Sequence, residues 1–192
     1  MEVLWAPWRM EYVGGAAAEP QGCIFCDHPA APEPEHRARL VLTAGADTAV
    51  LLNKYPYNNG HLLVVPRRHA RWPDELSDAE AAALQGALWG AIALVRAVLR
   101  PDGLNVGMNL GRAAGAGIDA HLHWHVVPRW SGDVNFMPVV GQAKVMPEHV
   151  AATYDRLHAG LAALRADPGT RGGAGAATAT NAGAGASGDG DR

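Results

Sequence analysis

The stretch His121-Leu122-His123-Trp124-His125-Val126-Val127-Pro128-Arg129 alternates histidine with large apolar residues and continues with two valines. Apolar residues at every second position predict a β-strand, in which successive side chains point to opposite faces. We therefore expect the three histidines on one face of a strand and the intervening apolar residues on the other, facing the core. Three imidazoles on one face indicate chemistry, because imidazole titrates near neutral pH, binds metals and can attack phosphorus.

Two other interpretations of this histidine strand remain open on these residues alone. The three histidines could form the solvated polar face of an amphipathic strand. They could instead form a metal site, since a His-x-His pair on a strand suits zinc. Residues elsewhere in the chain have to distinguish a metal ligand from a nucleophile.

Composition limits the class of protein. The 192 residues and the 48% hydrophobic fraction suffice for one globular domain with its own core. A net charge of −3 argues against a nucleic-acid-binding face. No apolar run approaches membrane-spanning length, and the first residues lack the pattern of a signal peptide. We expect a cytoplasmic protein without a membrane partner, whose two cysteines are thiols or metal ligands rather than a disulfide.

The chain divides into three parts by composition. Residues 1–22 are rich in aromatic side chains and are expected to form an arm packed against the body. Residues 167–192 are almost all Gly, Ala, Thr, Ser and Asp, which predicts a disordered tail. The domain is therefore expected over residues 23–166, with an apolar, ordered loop at 131–145.

Hydrophobic patterns predict the remaining elements of the domain. Four further strands are expected at 39–43, 48–52, 61–65 and 105–110. A capping box at Ser77 and Glu80 predicts the start of a helix that Pro101 stops. A second helix is expected from Pro147. The apolar faces of the two helices are Leu84, Leu88, Ile92, Val95 and Leu99, and Val150, Tyr154, Leu157, Leu161 and Leu164.

Three shorter motifs carry possible chemistry. Cys23-Ile24-Phe25-Cys26 lets two thiolates chelate one ion from a tight turn, although a redox pair or two unrelated cysteines would look the same. The basic residues of 67–71 are usually a solvated edge but could attract polyphosphate. The glycine-rich loop 111–118 could bring backbone amides close to an anion, or serve an ordinary hairpin.

The triad and its flanks resemble the histidine-triad (HIT) family, in which three histidines alternate with apolar residues before two more apolar positions. Asn53, the pair Gly60-His61, residues 66–69 and Asn109-Leu110-Gly111 fall where that family has its nucleotide-contact strands and loops. The resemblance covers residues 23–130. Within the family, the chain is similar to bacterial members near the fragile-histidine-triad branch and to the diadenosine tetraphosphate phosphorylases. It implies an α+β fold, with an antiparallel sheet of about five strands carrying packed helices, and a homodimer.

The resemblance also implies covalent catalysis at the α-phosphorus of a nucleotide. His123 would be the nucleophile that forms a nucleotidyl-histidine, His125 would donate to a phosphate or leaving oxygen, and His121 would sit on the other side. We expect water to release the nucleotide from a dinucleoside polyphosphate. The alternatives are a phosphorylase that uses phosphate as acceptor, an adenosine phosphoramidase, and a nucleotide-binding sensor without physiological turnover.

The resemblance assigns the nucleotide-binding residues position by position. Asn53 would meet the ribose, Leu51 the base, His61 the phosphates and Asn109 the phosphoryl charge. Backbone amides of the loop, at Gly115, Gly117 and Ile118, would add to that charge stabilisation. The chain departs from the family here, because this loop lacks the Gln-Ser or Gln-Thr side chains that often precede the triad.

Finally, the resemblance implies a structural zinc ion. Its ligands would be Cys23, Cys26, His69 and His121, a closed set without an open position. Such a site would leave His123 and His125 for the reaction. Two alternatives remain open: the cysteines could be unbound thiols, and the triad itself could hold a catalytic metal.

Overall fold

The computed structural model describes residues 22–133 and 146–166. Within them, five strands form one antiparallel sheet in the order β1-β2-β3-β5-β4, so the α+β architecture expected from the sequence is confirmed. The aromatic arm, the tail and most of the 131–145 loop lie outside the described residues. The elements are α1 Ile24–Ala30, β1 Val41–Ala44, β2 Thr48–Leu52, β3 Leu62–Pro66, α2 Asp78–Leu99, β4 Gly103–Met108, β5 Trp124–Arg129 and α3 Val150–Ala166.

The histidine stretch enters the sheet later than its alternation predicts. Strand β5 begins at Trp124, so the prediction that His121 and His123 belong to the strand is wrong, and only His125 does. The segment before the strand still runs alongside a neighbouring chain segment, because the Leu122 amide donates to the Ala70 carbonyl at 2.7 Å. The alternation of faces therefore continues upstream of the sheet ladder.

The sheet separates two apolar clusters. Leu62, Val64 and Val126 face α2 and α3 and belong to the larger core. Leu63 and Val65 point to the opposite face, into a smaller core that includes Phe25 of α1. Side chains of one strand alternate between faces, so β3 contributes to both cores and is buried throughout.

Helix α2 begins with the predicted capping box. The Ser77 side chain accepts from the Glu80 amide and the Glu80 carboxylate accepts from the Ser77 amide. The helix ends at Leu99, and Arg100 adopts a left-handed conformation before Pro101. Contrary to the sequence-based expectation, this helix is long and apolar enough to cross a membrane by length and composition, with a mean hydropathy of 1.6. Its leucine-rich face packs on the sheet, which explains that composition in a globular core.

Other boundaries differ from the predicted ones. Cys23 is the N-cap of helix α1, so the two cysteines flank the first turn of a helix rather than a tight turn. That helix runs from Ile24 to Ala30 and includes Pro29. Helix α3 begins at Val150, three residues after Pro147. Strand β4 ends at Met108, so Asn109 lies just beyond the sheet. A proline or glycine pattern marks such boundaries only to within a few residues.

Candidate active site and metal-ligand cluster

The imidazoles of the triad lie on the sheet face opposite the two long helices. His125 is paired across the sheet with Leu63 on one side and Gly107 on the other. The rings of His123 and His125 meet edge to face, with centroids 4.8 Å apart. All three triad histidines are buried, at 1%, 6% and 9% exposure, so the interpretation of a solvated polar face is wrong.

The backbone determines which nitrogen of His123 carries the proton. Its Nδ1 lies 2.8 Å from the carbonyl oxygen of His121, and a carbonyl can only accept. Nδ1 therefore holds the hydrogen, and a neutral ring keeps a lone pair on Nε2. That lone pair is the atom required for attack on an electrophile.

A second chain of hydrogen bonds orients His125. The backbone amide of Tyr57 donates to Nδ1 of His61 at 3.0 Å, and the Asn53 amide lies 3.2 Å from the same atom. Nε2 of His61 is therefore protonated and donates to Nδ1 of His125 at 2.9 Å. The remaining N–H of a neutral His125 is then on Nε2, 3.4 Å from the Asn109 side-chain amide. The structure places Nδ2 of Asn109 at this distance, so this tautomer requires the Asn109 amide to be turned over so that its oxygen accepts from the ring.

The turn before β3 places His61 beneath His125. Gly60 has φ +74°, and a Cβ at that position would collide with Leu99, so only glycine fits. The backbone amide of Asn53 donates to the His61 carbonyl at 2.9 Å, and the His61 amide donates to the Asn58 carbonyl at 3.2 Å. His61 is completely buried as a result.

Burial keeps the triad imidazoles neutral. Desolvation lowers the pKa of His125 to about 4, and the neighbouring His123 adds to the shift. Desolvation also lowers the pKa of His123, although the hydrogen bond to the His121 carbonyl opposes it. Neutral rings at physiological pH are what a nitrogen nucleophile and a tautomeric relay both require.

Four side chains meet beside the triad in a pattern suited to a metal ion. Cys23, Cys26, His69 and His121 bring their ligand atoms within 4.8 Å of one another. Nδ1 of His121 is 3.3 Å from Cys23 Sγ and 3.5 Å from Cys26 Sγ, and Nδ1 of His69 is 3.4 Å from Cys26 Sγ. A tetrahedral zinc ion separates its nitrogen and sulfur ligands by about 3.5 Å. The cluster therefore fits a closed two-cysteine, two-histidine site.

The surroundings of the cluster support the same assignment. Nε2 of His121 donates to the Pro66 carbonyl at 2.9 Å, which leaves Nδ1 without a hydrogen and turned toward the two sulfurs. Burial, followed by the neighbouring Cys23, raises the pKa of the Cys26 thiol to about 11. A bound cation would be needed to keep that thiol deprotonated at neutral pH. The geometry of His121 therefore suits a metal ligand.

The loop before the triad differs from what its glycines suggest. The Gly115 amide donates to the Arg112 carbonyl at 2.9 Å and closes a short 3₁₀ turn, and its expected role as an anion donor stays a prediction. Ile118 packs against the smaller core, as does the buried Leu51. Within residues 22–133 and 146–166, no described contact tests the predicted role of Gly117.

Sequence reasoning missed two aromatic residues of the site. The Phe25 ring packs against His121 and His123, with centroids 5.5 and 5.0 Å away, and links the cysteine helix to the triad. The Tyr57 ring stacks on His125 at 5.5 Å, and its backbone supplies the donor to His61. Phe25 lies inside the Cys-x-x-Cys motif and Tyr57 in a loop of turn-forming residues, so neither showed a separate pattern.

Comparison with known proteins places this site in a family. The HIT domain model matches residues 34–132. The chain is 41% identical over 152 residues to an AP-4-A phosphorylase from Mycobacterium tuberculosis, covering 77% of this chain and 78% of that protein. It is 33% identical over 110 residues to an adenosine 5′-monophosphoramidase from Schizosaccharomyces pombe, covering 56% and 74%.

A solved structure agrees with both the fold and the sequence relationship. The crystal structure of a zinc-bound histidine triad family protein from Mycobacterium smegmatis matches with a TM-score of 0.56 and 27% identity, over 76% of this chain and 96% of that one. The triad at residues 121–125 lies inside the matched domain. The chain belongs to the HIT family and is an enzyme of its nucleotidyl hydrolase and transferase class.

Proposed function

We propose that this protein is a dinucleoside polyphosphate phosphorylase that cleaves diadenosine tetraphosphate with inorganic phosphate. The observation that carries the proposal is the lone pair on Nε2 of His123, held in place because Nδ1 donates to the His121 carbonyl. The 41% identity to an AP-4-A phosphorylase favours phosphate as the acceptor over water, which was the first expectation from the sequence.

The proposed reaction has two displacements. Nε2 of His123 attacks the α-phosphorus, a P–N bond forms, and the bond from that phosphorus to the bridging oxygen breaks. ATP leaves, and the N–H on Nε2 of His125 donates to the departing oxygen. A phosphate oxygen then attacks the adenylylated His123, the P–N bond breaks, and ADP is released with the ring neutral again.

The nucleoside would lie over the apolar rows beside the triad. Leu51 and Leu63 are neighbours across the sheet in the row that ends at His125, and both are buried, so an adenine there would contact the partly exposed Ile118 that packs against this core. Asn53 follows directly after β2 and is 3.2 Å from His61 by its side-chain amide, which suits it to a ribose hydroxyl. The same arrangement would place the α-phosphate near His123.

Product analysis tests the acceptor. Wild type and His123→Ala are incubated with diadenosine tetraphosphate, with and without inorganic phosphate, and the nucleotides are separated by chromatography. The proposal expects ADP and ATP only in the presence of phosphate, and no turnover by the variant. AMP and ATP formed without phosphate would show a hydrolase, and equal turnover by both proteins would exclude His123 as the nucleophile. Adenosine 5′-phosphoramidate as the preferred substrate would favour the phosphoramidase alternative.

We also propose that the cluster of Cys23, Cys26, His69 and His121 holds a structural zinc ion. A bound ion would tie α1 to the residue whose carbonyl orients His123. Metal analysis of the purified protein should give about one zinc per chain, and His69→Ala should lose it with a lower thermal midpoint. The exposed His158 is a matched control. Zinc-free wild type, or a variant with unchanged zinc, would contradict this assignment.

The predicted homodimer is proposed to form through the outer edge of β4. This strand is at one end of the sheet order, and its Val106 is 40% exposed. An exposed edge strand offers unpaired backbone groups to a second copy of the chain. Light scattering should give twice the chain mass for wild type and less for Val106→Lys, whereas a monomeric wild type would contradict the proposal.

A further inference from the structure

An exposed tryptophan flanked by arginines lies outside the site described so far. Trp72 is 38% exposed, and the Arg71 guanidinium lies over its ring, 5.3 Å from the centroid. Arg112 is 81% exposed at its side chain and, like Arg71, faces the Asp119 carboxylate. We call Arg71, Trp72 and Arg112 the Trp72 platform. Its basic residues come from two segments, 67–71 and 111–118, that the sequence marks for possible phosphate contact.

The platform borders the triad through short backbone connections. A Cβ built on Gly111 would lie 3.8 Å from the tip of the Trp72 indole. Asn109, two residues earlier, has its side-chain amide 3.4 Å from Nε2 of His125. Residues two apart are separated by no more than about 7 Å. The segment from Asn109 to Gly111 therefore connects the indole to the ring nitrogen that would donate to the leaving oxygen.

The platform also lies at the opposite end of the site from Asn53. In the antiparallel register, Leu62 pairs with Val126 and Val64 with Trp124, so β3 runs from the nucleoside end toward the start of β5. His61 and Asn53 are at the first end, and the chain reaches Trp72 only after β3 has ended at Pro66. A linear substrate bound at Asn53 and attacked at His123 would extend toward the platform.

The charges of the platform are incompletely compensated by its neighbours. Arg71 and Arg112 share the single carboxylate of Asp119, at 3.1 and 3.5 Å. The Glu75 carboxylate is also close and accepts from the Arg71 backbone amide at 2.9 Å. An exposed ion pair at 3.5 Å contributes little, so the Arg112 guanidinium can exchange Asp119 for a phosphate at small cost.

We infer that the Trp72 platform binds the leaving half of the substrate, a nucleoside polyphosphate. The second base stacks on the Trp72 indole, and the distal phosphates pair with Arg112 and Arg71. This inference rests on the proposed function, and it explains how a loop without the usual Gln-Ser or Gln-Thr side chains can still hold a long leaving group. It predicts selectivity for substrates with two nucleosides.

Three substrates of increasing length separate the contribution of the platform to phosphate binding from its contribution to base stacking. Adenosine 5′-phosphoramidate has no tail, adenosine 5′-tetraphosphate has phosphates without a second base, and diadenosine tetraphosphate has both. Trp72→Ala should lower kcat/KM about tenfold on the dinucleotide alone, the usual value of one aromatic–base stack. Arg112→Gln should lower kcat/KM on both polyphosphates. Trp89→Ala is the matched control, since Trp89 is 60% exposed on α2 and faces away from the sheet.

Equal losses on all three substrates with Trp72→Ala, or no loss on any, would overturn the inference. A binding measurement keeps it testable independently of turnover. In a His123→Ala background, Trp72→Ala should weaken the affinity for diadenosine tetraphosphate about tenfold and leave that for AMP unchanged. Unchanged affinity for the dinucleotide would also overturn it. Failure of the proposed function would look different, because wild type would then release AMP from diadenosine tetraphosphate without added phosphate, or prefer the phosphoramidate, while the difference in binding between the variants persisted.

Discussion

The two faces of the sheet are built from the same strands, but one is apolar and the other holds buried histidines. The face toward α2 and α3 carries Leu62, Val64 and Val126, all completely buried, in a core whose buried members are apolar apart from the hydroxyl of Tyr154, which donates to the Val41 carbonyl at 2.8 Å. The other face places Leu63 and Val65 beside buried histidines. One face stabilises the fold, and the other holds polar groups that burial alone would disfavour.

The difference between the faces teaches how a buried imidazole is tolerated. Each triad histidine has a hydrogen-bond partner for at least one ring nitrogen: Pro66 and His121 supply carbonyls, and His61 supplies a ring N–H. A buried polar group that keeps its partner costs little, whereas an unpaired one costs much more. The histidine face is therefore a set of buried polar groups that keep their hydrogen-bond partners.

The largest effect is expected on the histidine face and concerns the reaction alone. His123→Asn removes the nucleophilic nitrogen, so kcat on diadenosine tetraphosphate should fall by about 10⁴-fold or more. The thermal midpoint should change little, because the asparagine amide can still donate to the His121 carbonyl. The exposed His158→Asn is the control. A variant that keeps its kcat would remove the functional contrast between the faces.

The helix face should show the reverse behaviour. Leu88 of α2 is 2% exposed in the larger core, and Leu88→Ala should lower the free energy of unfolding by about 3 kcal/mol. The kcat of the folded enzyme should stay unchanged, because the residue is across the sheet from the triad. Denaturant titration and steady-state kinetics measure the two quantities, with the exposed Arg96→Ala on the same helix as reference. A loss of kcat at full folding would show that the faces are coupled.

Acid should weaken the histidine face selectively. An unfolded His125 takes up a proton near pH 6.5, while the folded one resists until about pH 4, so the unfolded state binds more protons between these values. Stability from this group is present above pH 6.5 and is lost as the pH falls toward 4. The free energy of unfolding of wild type should therefore drop by about 2 kcal/mol more than that of His125→Asn over this range. Parallel pH profiles of the two proteins would contradict the assignment of a neutral, buried His125.

The smallest effect concerns the start of the helix-covered face. Ser77→Ala removes the side chain that accepts from the Glu80 amide at 3.3 Å, and should cost about 1 kcal/mol of unfolding free energy. Turnover per folded molecule should be unaffected. Chemical denaturation compares Ser77→Ala with Gln85→Ala, a substitution inside the same helix. Equal stabilities of Ser77→Ala and wild type would show that the capping box does not stabilise helix α2.

Much of the fold is predictable because its signals are local. The strand predicted at 48–52 and the capping box of α2 rest on patterns of neighbouring residues, and both occur as predicted. The start of β5, one of the boundaries that failed, involves a contact with a distant segment. The Leu122 amide, for example, bonds to Ala70 instead of a strand partner in the ladder. The secondary-structure propensities of neighbouring residues carry no information about such contacts.

By itself, the sequence determined which residue types were available: a spaced histidine triad, a cysteine pair and a resemblance strong enough to name the site. Only the tertiary structure decided which of these residues lie together and which ring nitrogens are protonated. Cys23 and His121 are 98 positions apart in the chain, yet Cys23 Sγ and His121 Nδ1 lie 3.3 Å from each other. Backbone groups determine which nitrogen is protonated on the rings of His121, His123 and His61. These groups are the carbonyls of Pro66 and His121 and the amide of Tyr57, respectively. The physical reason is that a histidine tautomer is set by its partners in space, and chain neighbours alone do not supply them.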